Sequence, residues 1–226
     1  MSLALISSLF CRPNWLVERY GPKKYSKNEE ELIIRDFFHD KRDGYFVDIG
    51  AGHYRIHSNT YFLEKDLGWQ GLAVDANCQY GKEYAEFRPK TRFFCFFVGV
   101  QSGRWIDFYI QLWNKRLSTG VPGWTKNAGL YRKTRIMSIT LDDLLARAGV
   151  VRFDFLSMDI ELGEPAALSG FNIGKHRPAL VCIEAHRQVR KEILRFFSQN
   201  GYGIVGIYET LDPLNLYFAP EPSSDG

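Results

Sequence analysis

Short apolar runs, each ended by glycine or an acid, recur along the chain, and apolar residues at helical spacing fill the intervals. Tyr45-Phe46-Val47 runs into Asp48-Ile49-Gly50-Ala51-Gly52, and Gly71-Leu72-Ala73-Val74 ends at Asp75. Runs of this length closed by turn residues read as buried strands. Arg92 to Val98, Ile136 to Thr140, Phe153 to Asp159 and Ala179 to Glu184 share that texture, and Arg104 to Leu112 alternates as an extra strand. Before the first run, Leu32, Ile33, Phe37 and Phe38 fall on one helical face between Ser26 and Asp40. Glu29, Glu30 and Glu31 stand in its first turn, where the helix dipole favours acids. Further helices are predicted over Thr60 to Leu67, stopped by Gly68, and over Gln79 to Phe87. Others follow over Leu141 to Ala148, with Thr140 as N-cap, from Pro165 to Leu168, and around Val189, Ile193, Phe196 and Phe197. Ile204 to Tyr208 and Leu214 to Phe218, joined across Asp212-Pro213, predict a closing hairpin.

Strands alternating with helices imply a parallel sheet covered on both faces, with one antiparallel edge from the hairpin. That is a Rossmann-like α/β domain. Residues 1–43 read as an arm and a helix covering the sheet, 44–220 as the sheet domain, and 221–226 as a frayed tail. A chain of 226 residues, 45% hydrophobic, is long and apolar enough for one sizeable core.

Two acids dominate the candidate chemistry. Asp48 precedes Gly50-Ala51-Gly52, where glycine allows positive φ and lets a ligand approach bare backbone. Asp75 ends the next strand, the place from which an acid reaches ribose hydroxyls. A nicotinamide site would add a third glycine, and Arg55 follows instead. An acid two residues before the first glycine suits a cationic cofactor, and S-adenosylmethionine carries an ammonium and a sulfonium. A purely structural turn with a solvated acid is the alternative.

The motifs resemble those of the FkbM-type S-adenosylmethionine-dependent methyltransferases. The likeness runs through residues 46–52, Ser58-Asn59-Thr60-Tyr61-Phe62-Leu63-Glu64-Lys65-Asp66-Leu67-Gly68-Trp69, and Gly71 to Asn77. It continues in Ile139 to Leu145, Phe153 to Glu161, Glu164, Ala167-Leu168 and Gly170-Phe171. The resemblance implies a class I methyltransferase fold with a mostly parallel seven-stranded sheet. It also implies methyl transfer, usually to a hydroxyl of a sugar or small metabolite, with S-adenosylhomocysteine as product. Asp48, Gly50, Gly52, Asn59, Asp75, Asn77 and Asp159 are the candidate cofactor residues. The chain departs from the family pattern Asp-x-Glu-Gly-x-Glu: it reads Asp159-Ile160-Glu161-Leu162-Gly163-Glu164, with the glycine one place late. A nicotinamide-dependent oxidoreductase and a catalytically inactive module of the same fold are the competing readings.

Asp159, Glu161 and Glu164 follow one strand, and Glu184-Ala185-His186 follows the next. Crowded acids raise one another's pKa, and histidine titrates near neutrality, so Glu161 and His186 are the candidate bases. Glu164 reads as a first-turn helix acid. Asn59 serves as a cofactor contact or as the cap of the following helix. His53 and His57 read as solvated loop residues. Asp159, Glu161, Glu184 and His186 offer oxygen and nitrogen ligands, but without tight ligand spacing the sequence assigns no metal.

Residues 113–135 carry Lys115, Arg116, Lys126, Arg132, Lys133 and Arg135 without one acid, among Trp113, Trp124 and Tyr131. They read as an acceptor loop whose cations attract phosphate or carboxylate groups and whose tryptophans stack on sugars or bases; single-stranded nucleic acid uses the same chemistry. The net charge of +3 is too small to argue nucleic-acid binding by itself. Cys11, Cys78, Cys95 and Cys182 form no Cys-x-x-Cys pair, so a disulfide or zinc framework is not expected and a reducing cytoplasm is. No apolar run is long enough to span a bilayer.

Overall fold

A computed structural model describes residues 15–111 and 131–222. Five parallel strands form its centre: β1 (Tyr45–Ile49), β2 (Gln70–Asp75), β3 (Thr91–Cys95), β7 (Phe155–Met158) and β8 (Leu180–Glu184). With β9 (Tyr202–Ile204) and β10 (Asn215–Pro220) they make a seven-stranded sheet in the order β3-β2-β1-β7-β8-β10-β9. Strand β10 is antiparallel to both neighbours, so the reversed strand lies one place in from the edge.

Alternation along β1 divides the interior. Val47 and Ile49 face a core shared with α5 (Leu141–Ala148) and α8 (Arg190–Gln199). Phe46 faces the opposite core, built on α2 (Glu30–Phe38), α3 (Tyr61–Leu67), Trp69 and Phe155. Because successive strand residues point to opposite faces, Asp48 follows Phe46 onto the α2–α3 side.

The expected elements form for the expected reasons. Gly68 ends α3 in the left-handed conformation, and the Thr140 hydroxyl accepts the N–H of Asp143 at the start of α5. A short helix, α1 (Trp15–Tyr20), lies in the N-terminal arm. Three boundaries differ from expectation. The aromatic run is not one strand: β3 ends at Cys95, and β4 (Phe97–Val98) leaves for a three-stranded sheet with β5 (Trp105–Gln111) and β6 (Tyr131–Ile139). Strand β6 begins at Tyr131, so Arg132, Lys133 and Arg135 stand on a strand paired with β5; their charges stay exposed and hide the β pattern. The rest of the expected acceptor loop lies outside the described residues, as do residues 1–14 and 223–226. The hairpin starts earlier than read, because Gly206–Tyr208 is a tight turn held where the Tyr208 hydroxyl donates to Asp36 at 2.8 Å.

The cysteine expectation is corrected. Cys78 and Cys95 form a disulfide, while Cys182 is a buried free thiol. Seventeen residues separate the pair, but the parallel register sets Cys95 opposite Asp75, only three residues before Cys78. Spacing in sequence carries no trace of that meeting, and cysteine usage no longer argues for a reducing compartment. Among the described residues, no helix is long and apolar enough to cross a membrane.

Candidate functional site

A cleft of about 310 Å³ opens at the carboxyl edge of the parallel strands, where open α/β sheets bind ligands. Its floor is the turn after β1. Gly50 has φ +78°, and a Cβ there would sit 1.9 Å from the main-chain oxygen of Asp159. Only glycine lets these two strand ends close. Gly52 also has positive φ, +58°.

Asp75 locks the two turns at this end together. Its Oδ2 accepts the N–H of Gly52 at 2.9 Å, and its Oδ1 accepts the N–H of Asn77 at 2.7 Å. Each carboxylate oxygen has a further lone pair, so two hydroxyl bonds can still be accepted. Burial pushes the Asp75 carboxyl up to about 6 against those two backbone donors, with the charges of Asp48 and Asp159 adding to the rise.

Gly50, Gly52, Asn59, Asp75, Asp159 and Glu161 line the cleft, while Asp48, Asn77 and His186 do not. Asp48 is buried behind the turn, with Oδ2 accepting the Thr60 hydroxyl at 2.7 Å, and burial raises its carboxyl to about 6. Asn77 caps a tight turn over Cys78–Tyr80 by accepting the N–H of Gln79. Asn59 is not the helix cap. Its amide donates to the Ser157 hydroxyl at 3.2 Å, and Ser58 Oγ accepts the N–H of Tyr61 instead. His53 and His57 line the cleft rather than simply facing solvent.

The acids from two strands converge. Oε2 of Glu161 lies 3.8 Å from Nε2 of His186, and Oε2 of Glu184 lies 3.1 Å from that nitrogen. Glu164 opens α6 (Glu164–Ser169), yet it is fully buried rather than solvated, and its Oε1 accepts the N–H of Ile160. Burial, helped by the charges of Asp159 and Glu164, pushes Glu161 up to about 7. Glu164 rises to about 7, mainly by burial. Glu184 stands well above the usual carboxylate range for the same reason, with Asp159 and Glu161 adding to it.

The displaced glycine has a structural counterpart. Glu161 and Leu162 both take positive φ, +52° and +73°, whereas Gly163 has φ −84°. The left-handed turn stays where the family pattern places its glycine, and a leucine occupies it.

Several walls escaped the sequence reading. Lys27 and Glu30 come from the N-terminal segment, Asn215 from β10, and Phe96, Phe97 and Phe108 from the switch into the smaller sheet. Glu184 was visible only as a strand-end acid. Behind the cleft, Arg88 is 1% exposed and joins Glu64 at 2.5 Å, the main-chain oxygen of Tyr54 at 3.0 Å and that of Thr60 at 3.3 Å. A lone arginine before Pro89 gave no signal of that role.

A parallel sheet with one reversed strand, a glycine turn after β1 and a carboxylate after β2 define the class I methyltransferase fold. A precorrin-6Y C5,15-methyltransferase from Geobacter metallireducens shares it at TM-score 0.50 and 11% identity, over 89% of this chain and 93% of that one. A TehB-like S-adenosylmethionine-dependent methyltransferase from Corynebacterium glutamicum aligns at TM-score 0.48 and 13% identity, over 96% of this chain and 100% of that one. A Geobacter sulfurreducens methyltransferase bound to S-adenosyl-L-homocysteine aligns at TM-score 0.42 and 12% identity, covering 84% of this chain and 70% of that one. No curated protein matches the chain.

Residues 48–204 match the model of the methyltransferase FkbM domain, and the chain belongs to that family. It is an S-adenosylmethionine-dependent methyltransferase. That membership sets aside the nicotinamide reading. The cleft fits the cofactor's chemistry: Asp75 keeps acceptor capacity for a diol, and the carboxylates beside it suit a ligand that carries an ammonium and a sulfonium.

Proposed function

We propose that the protein methylates a hydroxyl oxygen of a sugar or small metabolite, with Glu161 or His186 accepting its proton. The observation that carries this reading is the meeting of Glu161 and His186, 3.8 Å apart, at the strand edge that also holds Asp75. Asp75 takes the ribose hydroxyls, Phe96 and Phe97 flank the base, and Asp159 faces the methionine end.

Bound S-adenosylmethionine supplies a methyl group already activated by the sulfonium. The protein's contribution is then alignment and proton removal. An alcohol needs a base near neutrality, and a carboxyl raised to about 7 is matched to that task. Exposed cations on β6 favour an acceptor with phosphate or carboxylate groups, Lys133 being partly neutralised by Asp107 at 2.7 Å.

The test is methyl transfer from labelled S-adenosylmethionine across a panel of sugars and hydroxylated metabolites. Glu161→Gln and His186→Ala should lower turnover by about 10²–10⁴-fold, the usual range for a lost acid–base group, and leave S-adenosylhomocysteine affinity intact. Full activity in both variants removes the base assignment. Tight cofactor binding without turnover across the panel favours an inactive module.

A further inference from the structure

The acids around His186 are more numerous than one proton transfer requires, and their free atoms point at one another. Glu161, Glu184 and His186 bring one ligand atom each within 4.8 Å of the others, and so do Asp159, Glu164 and Glu184. Glu184 is 8% exposed and Glu164 fully buried, yet Oε2 of each has no hydrogen-bond partner. Nε2 of His186 is likewise unpartnered, although Oε2 of Glu184 is only 3.1 Å away. The nitrogen and the carboxylate oxygen face each other at ion-pair distance but outside hydrogen-bond geometry, an arrangement that a cation bound by both atoms would satisfy.

We infer that Glu161, Glu184 and His186 form a binding site for a divalent cation of the Mg²⁺ or Mn²⁺ kind, beside the cofactor cleft. Two ligands about 2.1 Å from an octahedral ion and 90° apart are separated by about 3 Å, close to the Glu184–His186 spacing. Carboxylates with one imidazole suit such ions, above all Mn²⁺. The cofactor's ammonium is the competing partner. Its three N–H donors serve carboxylates and an imidazole lone pair alike, so the ion is distinguished from it by titration with and without S-adenosylhomocysteine, which carries the same ammonium. The elements supply the site rigidly: Glu184 ends β8, His186 follows it, and Glu161 is held by the left-handed turn after β7.

The inference rests on the methyl-transfer reading for its consequence alone. An ion here, with protein ligands on one side, holds an acceptor through two oxygens, which selects molecules with adjacent hydroxyls or a hydroxyl next to a carboxylate. Coordination takes one atom from each residue, so Glu161 holds the ion through one carboxylate oxygen and keeps the other as the base for the acceptor's proton, while His186 serves as a ligand.

The test is titration of the full chain with Mn²⁺, followed by the electron paramagnetic resonance of the free ion, with and without S-adenosylhomocysteine. One saturable site is expected, weakened about tenfold or more in both Glu184→Gln and His186→Ala, since even outer-shell changes cost about that much. S-Adenosylhomocysteine titration of the same proteins checks that they are folded. No Mn²⁺ binding by a wild-type protein that binds S-adenosylhomocysteine overturns the metal site and leaves the methyltransferase reading standing. Mn²⁺ binding unchanged in both variants also overturns it. Mn²⁺ binding without S-adenosylhomocysteine binding supports the site and removes the reading on which its consequence rests.

Discussion

The main-chain oxygen of Asp159 occupies the space that a side chain at Gly50 would need, 1.9 Å from the ideal Cβ position. The turn on the floor of the cleft and the loop that carries the acids are therefore set by one backbone contact. Gly50→Ala must separate β1 from β7 and also place alanine at φ +78°. The left-handed conformation costs about 1–2 kcal/mol and overpacking about 1–3 kcal/mol. A stability loss of about 2–5 kcal/mol in denaturant unfolding is expected, with cofactor affinity falling alongside it; near-native values for both contradict the contact.

Burial penalises the ionised form of Asp48, which therefore works against folding above about pH 6. Its folded pKa of about 6 lies above the ordinary 3.8, so its contribution to stability is fully present below pH 3.8 and is lost as pH rises through about 6. Asp48→Asn retains an acceptor for Thr60 and removes that loss. At pH 8 the variant should gain up to about 3 kcal/mol over wild type, with the gain shrinking toward pH 4. Unfolding curves at the two pH values check the sign.

Leu162 at φ +73° is strained where glycine is not. Leu162→Gly should stabilise the protein by about 1 kcal/mol or less, the left-handed cost less the extra chain entropy of glycine. A loss of stability on thermal unfolding points instead to contacts of the leucine side chain.

Arg88 and Glu64 form a buried pair, with Thr91 also donating to Glu64. Removing one partner strands a charge, so Arg88→Ala should cost about 3–5 kcal/mol. Because Arg88 also holds the main chain at Tyr54 and Thr60, cofactor binding should weaken. A variant as stable as wild type contradicts this.

The sheet was legible because its strands are nearly all apolar: Phe46-Val47, Leu72-Ala73-Val74 and Val181-Cys182-Ile183 admit little else. Asp75 was legible because it ends such a run. What stayed hidden depends on which segments meet. Phe96 marks a change of sheet inside an unbroken aromatic run, and Cys78 meets Cys95 only through the register of β2 and β3. Lys27, Glu30 and Asn215 reach the cleft from the two ends of the chain. Leucine at position 162 reads in sequence as a lost glycine, while the backbone keeps the turn.

Placing the cofactor against Asp75 is the central claim, and calorimetric titration with S-adenosylhomocysteine, with NAD as control, tests it most directly. Saturable binding of S-adenosylhomocysteine alone is expected, at least about tenfold weaker in Asp75→Ala, since hydrogen bonds to a charged acceptor are worth about 1.5–3 kcal/mol. Affinity should hold above pH 6 and decline below it, as the carboxylate whose pKa is about 6 takes up its proton. Binding of NAD alone, or equal S-adenosylhomocysteine affinity in wild type and Asp75→Ala, contradicts the account.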